Sequence, residues 1–210
     1  MLQILALWYN QCIEKMNLKL NPATKKAFLD IDSSHGFTDV VNLFKKFKES
    51  SGPISMKDFA KLLGREEDEV IKLAQTKGEL NTEGQLVGLL GLSIVPTNNE
   101  LIMAGQSFYT WCAADSLIFP AILQESAVIH SNDPVNGEII KIKVDGDRLL
   151  DISPEAAMIS WVDDIDEEDI RCSMCNRVHF FASSTTATSW HENNQDARIL
   201  PVVDYYTLGV

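Results

Sequence analysis

Apolar residues recur at three- and four-residue spacing from the start of the chain, at Leu2, Leu5, Trp8, Tyr9 and Cys12, which predicts the inward stripe of a helix and makes Cys12 a packing residue. The period returns in FTDVVNLFKKFKES, with Val40, Val41, Phe44 and Phe47 inward and lysines outward, and it stops at the breaker SSGP. ISMKDFAKLLGREEDEVIKLAQTKGEL then predicts helix, glycine turn, helix. Phe59, Leu62 and Leu63 face inward before Gly64, and Val70, Ile71 and Ala74 after it. In QLVGLLGLSIVPTNNELIMAGQSFYTW short apolar runs flank the turn PTNN, as the strands of a wing after a helix-turn-helix would.

The second part of the chain begins near residue 85. A helix is expected over 107–119, followed by short strands in SAVIHS, EIIKIKVDG, RLLDIS and AAMISWVD, divided by turns such as NDPVNG. The pattern predicts an α+β chain: a winged-helix-like helical module over 1–84, then a domain of antiparallel sheets with helices over 85–210.

At 210 residues, 45% of them hydrophobic, the chain is long enough to bury a core. Its net charge of −12 is unevenly placed. The first 80 residues carry 12 Lys and Arg against 11 Asp and Glu, and the remainder carry 6 against 19. That balance speaks against a general nucleic-acid binder. The second helix of the helix-turn-helix opens with Arg65, Glu66, Glu67, Asp68 and Glu69, so a packing module is expected there rather than a groove reader. DDIDEEDI has six acids in eight residues but lacks the glycine and ligand spacing of a calcium loop, and it reads as a solvated segment. The apolar start is too short for a bilayer and reaches its first lysine only at Lys15, so neither a signal peptide nor an anchor is expected. The expected compartment is the cytoplasm, where four cysteines stay reduced and available for metal or nucleophilic chemistry.

Within the expected helix, Cys112 and Asp115 stand at i and i+3, close enough to exchange a proton. The spacing also fits a buried core cysteine beside a helix-capping or hydrogen-bonded aspartate. CSMC, with His179 after it, supports three readings: half of a zinc site, a redox pair, or one functional cysteine with an incidental neighbour. A structural zinc site would want a second matching pair, and a thioredoxin-like pair would want a helix start where RVHFFAS reads as a strand. His179 fits a packed strand residue better than a ligand.

Taken together, FYTWCAADSLIFPAIL and CSMCNRVHFFASSTTATSW resemble the two active-site segments of the organomercurial (alkylmercury) lyases, and a weaker resemblance extends over nearly the whole chain. It implies a winged-helix-like module joined to a catalytic domain. The activity implied is protonolysis of a carbon–mercury bond to a hydrocarbon and Hg(II), with no dedicated cofactor. Cys112 matches the family's first catalytic cysteine, Asp115 its catalytic aspartate and Cys175 its second cysteine, the same three residues holding the mercury. The partners implied are an organomercury substrate as its thiol adduct, small thiols needed for turnover and a mercuric reductase as mercury acceptor, with no nucleic acid and no membrane. The chain departs from the family pattern at Asn176, where another cysteine is frequent, and at about Asp133, where a structural cysteine is replaced. Cys172 is additional and expected to be idle. Trp111, Phe119, Phe180 and Phe181 are expected to line or support the pocket, or to pack the core.

Two other readings compete. A non-catalytic homologue binding a soft metal, mercury or copper, would use the cysteines but has no need of the proton donor Asp115. A metal-sensing winged-helix regulator would need a basic reading helix, which REEDE does not supply.

Overall fold

The computed structural model describes residues 36–209 except 51, 147, 164, 165, 167 and 168. The stripe at Leu2, Leu5, Trp8, Tyr9 and Cys12 lies outside the described residues, as does part of DDIDEEDI.

Helix α1 (Gly36–Ser50) buries Val40, Phe44 and Phe47 as its period predicts, and Leu43 in place of Val41, which is half-buried against the core. Helix α2 (Met56–Leu63) starts at Ser55, whose hydroxyl accepts the Asp58 N–H, and ends at Gly64 in the left-handed region at φ 65°, where a side chain would be strained. Helix α3 (Glu67–Lys77) buries Val70 and Ala74. The guanidinium of Arg65, in the turn between α2 and α3, makes two 2.9 Å hydrogen bonds to the buried Asp39 of α1. The cation just before the second helix of this helix-turn-helix pair is thus committed to an internal pair.

Strands β1 (Gly78–Leu80), β2 (Leu86–Leu89), β3 (Leu92–Ser93), β4 (Asn99–Met103), β5 (Gln106–Thr110), β6 (Ser126–Asn132), β7 (Ile139–Asp145) and β8 (Arg148–Ser153) form an antiparallel sheet in the order β1-β2-β3-β5-β4-β6-β7-β8. β1 and β2 pair across residue 84. In β7 the alternation is clean, with Ile140, Ile142 and Val144 buried and Lys141 and Lys143 outward. A second sheet, β10-β9-β11, comprises β9 (Met158–Trp161), β10 (Phe180–Phe181) and β11 (Arg198–Pro201). The remaining helices are α4 (Ala113–Leu123), α5 (Ile170–Ser173), α6 (Ser184–His191) and α7 (Val202–Gly209). None of the helices among the described residues is long and apolar enough to cross a membrane.

Two elements differ from the sequence reading. The helix expected over 107–119 is a strand to Thr110 and a helix only from Ala113, because the aromatic and β-branched SFYT pairs with β3 and β4. The strand expected in RVHFFAS is confined to Phe180 and Phe181.

Buried Asp133 follows β6. Its carboxylate accepts the N–H groups of Val135 (2.8 Å) and Ala182 (2.8 Å) and the hydroxyl of Thr186 (2.5 Å), so it ties the β6–β7 turn to the start of α6.

Candidate active site

Cys112 does not lie inside α4 but caps it. With φ −142° and ψ 171° its backbone is extended. Its sulfur accepts the Asp115 N–H at 3.4 Å, and Asp115 Oδ2 accepts the Cys112 N–H at 3.2 Å. This is a reciprocal capping box in which a thiol takes the place usually held by a serine or threonine hydroxyl. Beneath it, buried Thr110 donates to the Cys112 carbonyl (3.0 Å) and sits 2.6 Å from the Ser116 hydroxyl. The residue that begins the helix is therefore fixed from both sides.

Cys175 arrives from a different element. It is buried at the start of a single 3-10 turn, Cys175–Arg177. The Ala113 N–H donates to the Val178 carbonyl (3.1 Å), and Ser160 of β9 bonds to the Arg177 carbonyl (2.8 Å) and the His179 N–H (2.8 Å). These bonds hold the Cys175 segment against the start of α4. The outcome is a cluster in which the Cys112 sulfur, an Asp115 carboxylate oxygen and the Cys175 sulfur all lie within 4.8 Å of one another.

Burial acts on both ionisable groups of the capping box. It pushes the Cys112 thiol well above its ordinary value, assisted by the hydrogen bond with Cys175 and the charge of Asp115. Burial also raises Asp115 from 3.8 to about 6, against the hydrogen bonds from Cys112 that favour its charged form. The resting site thus pairs a protonated thiol with a carboxyl that titrates close to neutrality. A soft cation inverts this balance, because its own charge replaces the proton on sulfur.

The other sequence candidates lie elsewhere. Cys172 is exposed on α5, where the Asp169 carboxylate accepts its N–H (3.1 Å), and it is not in the cluster. CSMC therefore divides into one buried thiol within the cluster and one exposed thiol outside it. His179 is outside the cluster too and packs edge-on against Phe181 and Trp190, with ring centroids at 6.4 and 5.7 Å. Burial lowers its basicity. Phe119, Phe180 and Phe181 are buried. Trp111 is half-buried, donates from Nε1 to Glu79 (2.9 Å) and lies under the Arg171 guanidinium at 4.7 Å. Nothing in KGEL or in the acid run before Arg171 marks Glu79 and Arg171 in the sequence as neighbours of Trp111.

The alkylmercury lyase family model matches residues 92–210. An alkylmercury lyase of Bacillus cereus is 35% identical over 158 residues, 74% of this chain and 72% of that protein. One of Staphylococcus epidermidis is 33% identical over 166 residues, 78% and 76% of the two chains. Among solved structures, the mercury-bound form of MerB2 superposes with a TM-score of 0.67 at 25% identity, covering 78% of this chain and 82% of its own.

Proposed function

The chain belongs to the alkylmercury lyase family and is an organomercurial lyase, an enzyme that cleaves carbon–mercury bonds; from that premise we propose that Cys112, Cys175 and Asp115 carry the reaction. The observation that carries this assignment is the convergence of two thiols and one carboxyl within 4.8 Å.

The substrate is an organomercury cation held by a small thiolate. One cysteine displaces that thiolate and gives it its own proton, which leaves a Cys–Hg–carbon unit. The second cysteine then binds the metal, and its proton passes to Asp115. Soft sulfur suits mercury, and two thiolates raise the electron density on the bound carbon. Asp115, now a carboxylic acid, returns the proton to that carbon as the carbon–mercury bond breaks. The hydrocarbon leaves, Asp115 is again a carboxylate and Hg(II) stays between two thiolates. A carboxyl whose affinity for protons is raised to about 6 can both accept and deliver that proton near neutral pH. Two external thiols release the metal and restore both cysteine thiols, with no cofactor required, and the thiols of a mercuric reductase are the acceptors this exchange suits. A reducing cytoplasm fits the chemistry.

We take residues 85–210 as the catalytic domain and 1–84 as a winged-helix-like module that packs instead of reading DNA. The acidic first turn of α3 (Glu67, Asp68, Glu69) and the internal pairing of Arg65 support that reading. Retention of Asp115 beside the sulfurs favours catalysis over storage of a soft metal.

Asp115→Ala should abolish hydrocarbon release under steady-state conditions with excess thiol, and should leave one Hg(II) bound per chain. Turnover at the wild-type rate in that variant would refute the proton-donor role.

A further inference from the structure

The β2–β3 turn consists of Leu90 and Gly91 alone, since Leu89 pairs with Leu92. Both turn residues have positive φ, 51° at Leu90 and 101° at Gly91, as a two-residue hairpin of this hand requires. Leucine rarely adopts that conformation, and it persists only where the surroundings impose it. The restraints are two backbone hydrogen bonds. The Leu90 N–H donates to the Lys77 carbonyl at the end of α3 (2.9 Å), and the Gly91 carbonyl accepts the N–H of Trp111 (2.9 Å), the residue before Cys112.

So fixed, Gly91 lies directly against the Asp115 carboxylate. A methyl group on Gly91 would stand 2.7 Å from Asp115 Cγ and Oδ2 and 2.8 Å from Oδ1, nearer than nonbonded carbon approaches carbon or oxygen. We infer that Gly91 is a positioning residue: its bare Cα is the wall that holds the Asp115 carboxylate beside the two sulfurs, an inference that rests on Asp115 being the proton donor. The turn is bolted at both residues, whereas the carboxylate is the end of a side chain. Any side chain at Gly91 therefore displaces the carboxylate, breaking its bond from the Cys112 N–H and changing its separation from the sulfurs. Misplacing a catalytic group by about 1 Å lowers rate on the order of 100-fold.

The test compares wild type, Gly91→Ala, Asp115→Ala and the double variant. Headspace hydrocarbon from methylmercury with excess thiol gives kcat and KM, Hg(II) titration gives metal stoichiometry, and thermal melts give Tm. Gly91→Ala should lose about 100-fold in kcat with KM and the one-to-one Hg(II) stoichiometry retained. Its loss of Tm should be smaller in the Asp115→Ala background, where the carboxylate is gone. Backbone strain alone would lower Tm equally in both backgrounds and would overturn the inference. Wild-type kcat in Gly91→Ala beside an inactive Asp115→Ala would overturn it and leave the donor assignment standing. An active Asp115→Ala would remove the premise, and the inference with it. Should Gly91→Ala fail to fold, the double variant should fold; if it too fails while Asp115→Ala folds, the steric account is wrong.

Discussion

Replacing Asp115 by asparagine separates the electrostatics of the site from its chemistry. In the folded protein the carboxyl holds its proton up to about pH 6, against an ordinary value of 3.8. The native state therefore binds this proton more tightly than the unfolded chain does. Above pH 6 both states are ionised and the native state carries the whole penalty of a desolvated carboxylate. As pH falls from 6 to 3.8 the native carboxyl protonates first and the penalty disappears, and below 3.8 both states are neutral. The displacement amounts to about 3 kcal/mol, at about 1.4 kcal/mol for each tenfold change in proton affinity. Asparagine is neutral throughout, and its side-chain oxygen still accepts from the Cys112 N–H. Any fixed difference between the side chains is independent of pH, so the change with pH is the quantity to measure. Cys112 does not disturb the window, because burial holds it as a thiol. Urea unfolding of wild type and Asp115→Asn, followed by tryptophan fluorescence in reducing buffer, should show asparagine gaining about 3 kcal/mol relative to wild type between pH 3 and pH 8. At pH 8 this corresponds to a relative gain of roughly 6–12 °C in Tm for a chain of this size. Stability curves that run parallel across that range would mean Asp115 titrates as a solvated aspartate, and its fitness as an acid near neutrality would be lost.

Other consequences follow from the same geometry. Cys112→Ser and Cys175→Ser should each remove turnover, while Cys172→Ser should change kcat by less than about twofold, since an exposed thiol outside the cluster has no contact with the reacting atoms; equal losses at Cys172 and Cys175 in a hydrocarbon-release assay would contradict this. Asp133→Ala strands the buried Ala182 N–H, while the Thr186 hydroxyl keeps the Ser183 carbonyl at 3.1 Å, and should destabilise the fold by about 2 kcal/mol, roughly 4–8 °C in Tm. Hydrocarbon release per folded molecule should be unchanged in that variant. An electrophoretic mobility assay at physiological salt should show no retarded DNA, because α3 opens with Glu67, Asp68 and Glu69.

The helical periods of α1, α2 and α3 and the alternation in β6 and β7 were legible because one face of each packs on the core and the other meets solvent. The start of α4 was not. A capping box is recognised by serine or threonine followed three residues later by an acid, and here cysteine disguises the first position, so Cys112 reads as helical core. The aspartate three residues on still reads as the thiol's partner, because capping and helical spacing place the same pair in contact. Only family resemblance distinguishes Cys175 from Cys172 in the sequence. Its physical reason, one thiol buried in a 3-10 turn and the other on the surface of α5, depends on bonds from Ser160 and Ala113 that no local pattern announces. Gly91 shows the same limit more sharply. It lies within an apolar run, QLVGLLGLSIV, and its contact with Asp115 spans a separation that only the sheet order closes.

The most direct test of the central claim is a single turnover without external thiol: reduced protein mixed with one equivalent of methylmercury per chain, with methane measured in the headspace and mercury on the desalted protein. The wild type should release one methane and retain one Hg(II) per chain, and Asp115→Ala should release no methane and keep methylmercury bound. Mercury retained as methylmercury by the wild type, or equal methane from both proteins, would contradict the claim.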